Sequence, residues 1–140
     1  MTAVRITREL AAPLDRVWTA FTDPGALAQW FWPETFNTAV SVDPRAGGHY
    51  RIQATSRRMG ISGEYREVTP PHKLVFTWQW DGEDEQSLVT IELSAHHGGT
   101  QLAIHHELLA SEADRDNHAQ GWKDCLDRLP GWLESVTHHS

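Results

Sequence analysis

From Phe36 to Leu109 apolar side chains recur at every second residue, in segments cut by short turns; from Ala119 to Val136 they recur at every third or fourth. This single switch of period restricts the fold more than any other feature of the chain. Period two is the mark of a strand with one buried face, and the three–four spacing is one apolar stripe of a helix. Consecutive strands joined by short turns pair as antiparallel neighbours. One long helix with one stripe can cover one face of the resulting sheet.

The remaining segments fill in the order. Residues 3–10 alternate around Val4 and Ile6 and predict an opening strand. Pro13 at an early helical position, Asp15 near the positive helix end, and Leu14, Val17, Trp18 and Phe21 at helical spacing predict a helix over 13–22. Asp23-Pro24-Gly25 breaks it, and a short helix over 24–30 follows, stopped by Pro33. Strands are expected over 36–42, onward from Gly47-Gly48, over 59–69 and over 72–80. A hairpin of 86–95 and 100–109 is expected to turn at His97-Gly98-Gly99. Ser111, with Asp114 three residues on, predicts the start of the long helix, and Pro130-Gly131 predicts a kink or split within it. The sum is a single α+β domain over residues 1–140. It has a curved antiparallel sheet of about six to seven strands around a long C-terminal helix, and two short helices after the first strand. Glycines 47, 48, 60 and 63 can supply the bends that such curvature needs.

Composition then removes function classes. The formal charge is −7, and the basic residues around Arg57-Arg58 are too few for the positive footprint of a nucleic-acid binder. There is no apolar run long enough for membrane insertion and no secretory h-region, so a cytoplasmic protein is expected. A lone cysteine, Cys125, excludes an internal disulfide and reads as a buried thiol. Adjacent histidines at 96/97 and 105/106 point to opposite strand faces, which argues against a shared metal. The pair at 138/139 lies at the chain end. Gly47-Gly48 lacks the spacing of a phosphate loop. No metal and no cofactor is expected.

What remains is aromatic. Seven tryptophans stand in 140 residues. Phe76, Trp78 and Trp80 share one strand face, and burying three rings outweighs burying Val75, so that face is expected inward. Tyr50, Trp78, Trp80 and Trp122 are the positions where core packing and a pocket wall compete, and His106 joins them through the face it shares with Leu102, Ile104 and Leu108. Trp30, Phe31 and Trp32, at a helix end before Pro33, are expected at a cavity mouth. Acid–base candidates are His106, Glu64, Glu67, Asp124 and Tyr65, with Tyr65 and Glu67 on one strand face.

The ordered set of local patterns carries a resemblance. It comprises Pro13-x-x-x-Val17-Trp18, Phe21-Thr22-Asp23-Pro24, Trp30-Phe31, Asp43-x-Arg45-x-Gly47-Gly48-x-Tyr50, Gly63-Glu64-Tyr65-x-Glu67-Val68, Pro70-Pro71-x-x-Leu74-Val75-Phe76-Thr77-Trp78, Gly99-Thr100 and Gly121-Trp122. Over roughly residues 3–136 the chain resembles the START-like (SRPBCC, helix-grip) superfamily. More narrowly, it resembles bacterial single-domain relatives of the C-terminal domain of the Hsp90 ATPase activator. The resemblance implies a helix-grip fold, shared by lipid and hormone carriers, aromatic polyketide cyclases and ring-hydroxylase subunits. The activator carries a further N-terminal domain that contributes to chaperone binding, and this chain is expected to have no room for one.

Three readings follow. The first is a binding module for a small hydrophobic or aromatic ligand between sheet and long helix. The second is a protein-interaction or stress-related, chaperone-associated module, with a homodimer or chaperone contact through an aromatic sheet edge or the acidic segment 81–85. The third is a cyclase- or hydrolase-like enzyme using a cavity acid or base, with His106, Glu64 and Glu67 as its candidates.

Overall fold

A computed structural model describes residues 2–138, with side chains described through residue 134. Val136 of the expected stripe and the terminal His138 and His139 therefore lie outside the described side chains. The elements are β1 (Thr2–Leu10), α1 (Leu14–Thr22), α2 (Pro24–Trp30), β2 (Thr38–Val42), β3 (His49–Ala54), β4 (Met59–Thr69), β5 (Lys73–Trp80), β6 (Ser87–His96), β7 (Gly99–Leu109) and α3 (Glu112–His138). The seven strands form one curved antiparallel sheet in the order β1-β7-β6-β5-β4-β3-β2. The chain crosses between the two edge strands through α1 and α2.

Local chemistry accounts for the boundaries. Asp23 ends α1 and caps α2, its Oδ2 accepting from the Ala26 N–H at 2.9 Å, with Pro24 in the first turn. The β6–β7 hairpin turns on His97 and Gly98, both at positive φ (50° and 82°), as a two-residue turn matched to strand twist demands. The Ser111 hydroxyl accepts from the Asp114 N–H at 3.1 Å and starts α3. Gly63 is forced by contact: a Cβ there would sit 1.9 Å from the Thr77 carbonyl oxygen.

Four expectations need correction. The strand expected from residue 36 begins at Thr38, because Glu34–Phe36 forms a short 3-10 turn closed by Asn37 in the left-handed region. The expected split at Pro130-Gly131 does not occur, and α3 is unbroken across both residues. Pro130 removes one hydrogen bond, whereas Leu126, Leu129 and Leu133 are each at least 96 % buried. Burial of one such side chain stabilises by about 1.5–3 kcal/mol, enough to hold the turn. Tyr65 and Glu67 do not share a face, since a bulge between them shifts the register against β5 and leaves Tyr65 buried and Glu67 outside. Leu108 does not share the inner face with His106. It adopts φ 65° at a register irregularity against β1, so its side chain is exposed and Leu109 turns inward.

The core lies between the inner sheet face and the helices. Phe76 and Trp78 are buried and Trp80 is half-buried, so the aromatic face of β5 does point inward. Among the described residues, no helix is long and apolar enough to cross a membrane.

Candidate functional site

The C-terminal part of α3 seals against the sheet through Leu126, Leu129 and Leu133. Its N-terminal half does not. Between that half and the sheet lies a cavity of about 520 Å³. Phe31 and Trp32 wall it from the end of α2, Trp78 and Trp80 from β5, and Trp122 and Cys125 from α3.

Each wall has a structural reason. Trp78 and Trp80 lie two apart on one face of β5, and Trp122 belongs to the α3 stripe. Phe31 and Trp32 are placed by a grip between helices. The last carbonyls of α2 have no partners within that helix. Arg128 of α3 donates from Nε to the Trp30 carbonyl (3.1 Å) and from Nη2 to the Phe31 carbonyl (2.7 Å). A cation suits the negative end of a helix. The Cys125 thiol also donates to the Phe31 carbonyl at 2.8 Å. Burial pushes its pKa up to about 12, more than nearby Arg128 pulls it down, so the thiol stays protonated and unreactive.

Trp78 is the hub. Its ring centre lies 5.3 Å from Trp122, 5.7 Å from Trp80, 6.3 Å from Phe31 and 5.0 Å from the imidazole of His106. Trp32 and Trp80 lie nearly parallel, 16° apart. Trp78 Nε1 is buried and meets no hydrogen-bond acceptor.

Two histidines stand behind and beside this wall, 4.8 Å apart, and tryptophans fix both. The Trp122 Nε1–H donates to Nδ1 of His106 at 3.0 Å. A neutral imidazole that accepts at Nδ1 carries its proton on Nε2, and that nitrogen lies 2.6 Å from Ser87 Oγ, so His106 donates to the serine. Burial, reinforced by His118 and His105, pulls the His106 pKa down to about 3 and keeps the ring neutral. His118 has the opposite tautomer. Its Nδ1–H donates to the Asp114 carbonyl (2.6 Å), and its Nε2 accepts from the Trp80 Nε1–H (2.9 Å). Both rings have both nitrogens engaged. A serine hydroxyl that accepts from histidine is not being deprotonated by it, so the Ser87–His106 pair differs from a nucleophile–base dyad.

The sequence candidates separate into groups. Trp78, Trp80, Trp122, Phe31 and Trp32 come together on the cavity wall. His106 lies one layer behind, against Trp78 and Trp122. Trp30 packs between α1 and α2, its Nε1–H on the Ala20 carbonyl (2.9 Å) and its ring 5.1 Å from Phe21. Tyr50 lies deeper, beside Tyr65 and Phe76, at a second space of about 30 Å³, roughly room for one water. Its hydroxyl donates to the Thr77 carbonyl at 2.6 Å, and burial pushes its pKa well up. Glu64 lies between His49 (3.7 Å) and Arg66 (3.5 Å), Glu67 lies 3.8 Å from Lys73, and Asp124 is exposed on α3; none of these carboxylates lines the cavity. Sequence reasoning missed Ser87, His118 and Gly121. His118 left a signal, one helical turn before Trp122, and Gly121 stood in the Gly121-Trp122 pattern without being read as part of a site. Ser87 enters the site by pairing with Trp78 across β5 and β6. Among the described residues, no group of three or more His, Cys, Asp or Glu is placed to hold a metal ion.

Comparison with known proteins agrees with this architecture. The family model described as Activator of Hsp90 ATPase homolog 1-like protein matches residues 11–134. No curated protein matches the chain. Among solved structures, protein CV1439 from Chromobacterium violaceum is 30 % identical with a TM-score of 0.81, covering 94 % of this chain and 96 % of that one. CalU16 from Micromonospora echinospora is 27 % identical with a TM-score of 0.76, covering 98 % and 79 %. DynU16, a protein of the dynemicin biosynthetic locus, is 27 % identical with a TM-score of 0.83. The match covers 96 % of this chain but 48 % of DynU16, so the chain spans about half the length of that relative.

Proposed function

We propose that this chain, which belongs to the Activator of Hsp90 ATPase homolog 1-like family, is a binding module for a small hydrophobic or aromatic molecule held between the sheet and the N-terminal half of α3. One observation carries the reading: a cavity of about 520 Å³ whose inner wall is built from Phe31, Trp32, Trp78, Trp80 and Trp122. That volume is in the range of small-molecule sites, and its aromatic inner wall, with polar and charged residues around it, can hold an apolar body and orient a polar end. The histidines support binding over acid–base catalysis. Both imidazoles hold partners on both nitrogens, so either would have to surrender a tryptophan hydrogen bond before it could take a substrate proton.

Gly121 provides the test. It lines the cavity from α3, and a Cβ added there meets no atom within 4 Å. A large side chain at this position should enter the open space without displacing the fold. Native mass spectrometry of protein purified without stripping should find a small molecule retained by the wild type and absent from Gly121→Phe. Circular dichroism should match between the two. A folded Gly121→Phe that retains the same molecule would place binding elsewhere.

A further inference from the structure

The cavity has an asymmetric charge distribution. Its deep wall is aromatic, and its exposed lining residues mark the mouth. Four carboxylates stand there: Asp81, Glu83 and Glu85, exposed on the β5–β6 connection, and Asp114, half-buried at the start of α3. Asp81 is neutralised by Arg51, which donates to both of its oxygens at 2.9 and 2.7 Å. Glu83, Glu85 and Asp114 have no ion-pair partner among the described residues. One cation, Arg58, shares the mouth with them. The start of α3 also lies there, and a helix N-terminus attracts anions. Glu112 and Asp114 in its first turn already answer that field, and Ser111 takes the Asp114 N–H. No lysine or arginine lines the deep wall, and the two imidazoles near it are engaged as described. An anionic head group would therefore meet uncompensated carboxylates at the mouth and no cation inside.

Building on the binding reading above, we infer that the ligand class is an aromatic or flat apolar amine, with its rings against Trp78, Trp80 and Trp122 and its ammonium group among Glu83, Glu85 and Asp114. Aromatic faces also favour a cation near their rings. The shape selects apolar ring systems, and the mouth selects against carboxylates and phosphates of the same shape.

The experiment uses three naphthalene probes of matched size, bearing an aminoethyl, a propyl or a carboxyethyl chain, titrated calorimetrically at low and at 0.5 M salt. The expected order is ammonium tightest and carboxylate weakest, with about a tenfold gap at low salt that shrinks on screening. Glu83→Gln/Glu85→Gln/Asp114→Asn should abolish that preference while still binding the propyl probe. Equal binding of all three probes, or a preference for the carboxylate, would overturn the charge inference and leave the binding module standing. Failure of every probe to bind wild type would overturn the amine inference, and the absence of any retained molecule in native mass spectrometry would overturn the binding reading with it.

Discussion

His106 shows how much one side chain can reveal. It is fully buried on β7, takes the Trp122 N–H at Nδ1 and gives its own proton to Ser87. Its inward placement was legible from alternation with Leu102 and Ile104. Its neutrality was not, because that depends on how deeply the packed fold buries the ring, and then on His118 of a distant helix standing beside it. The folded pKa of about 3 lies below the ordinary value of 6.5. The unfolded chain therefore takes up this proton first. The stabilising contribution is complete above pH 6.5 and is lost as pH falls from there toward 3, with a slope approaching about 1.4 kcal/mol per pH unit. Urea denaturation of wild type and His106→Gln should show that contrast. Between pH 7 and 4.5 the wild type is expected to lose about 2–3 kcal/mol more than the variant. Parallel losses would mean that His106 is not held neutral by burial.

At the scale of the element, α3 does two jobs along one stripe. Its C-terminal part packs by Leu126, Leu129 and Leu133, while Trp122 one turn earlier faces the open space. Spacing revealed the stripe but not this division, since both parts read as apolar residues three or four apart. It also overstated Pro130, because local breaking strength does not register the buried leucines on either side. The helix carries two glycines, Gly121 and Gly131, where an added Cβ meets nothing within 4 Å and the backbone is ordinary helix. Glycine in a helix interior costs about 0.5–1 kcal/mol relative to alanine. Gly121→Ala and Gly131→Ala should each raise stability by about that amount, and the double variant by about the sum, because the sites are too far apart to couple. Thermal denaturation of all three variants would check this. Gly131→Ala should leave ligand retention unchanged, which separates helix stability from occupation of the cavity. A destabilised Gly131→Ala would mean that the open position next to Pro130 carries a constraint beyond propensity.

For the whole molecule, sheet, turn chemistry and helix order were readable because each depends on local period, and a cavity was not, because its volume is a small difference between what the sheet encloses and what its side chains fill. Phe76, Tyr50 and Tyr65 fill their part of the interior to about 30 Å³, while a similar number of rings two residues farther along β5 leave about 520 Å³ open. Both regions have aromatic inner walls, but charged and polar residues reach only the larger one, at its mouth. They differ also in distance from the point where α3 closes on the sheet. This geometry makes the fold a lever, gripped at Arg128 and Leu129 and open at Asp114. A ligand that fills the open end should brace the N-terminal half of α3 and leave the gripped half as it was. Binding to the native state alone stabilises by about 2.7 kcal/mol at a ligand concentration one hundred times Kd. Amide hydrogen exchange with the bound aminoethyl probe should localise that gain. Slower exchange is expected over residues 112–122 and the 81–86 connection, with little local change over 126–134 beyond the shared global increment. Uniform protection along α3 would show that the helix responds as one rigid body; protection confined to β2 and β3 would place the ligand in the other cavity.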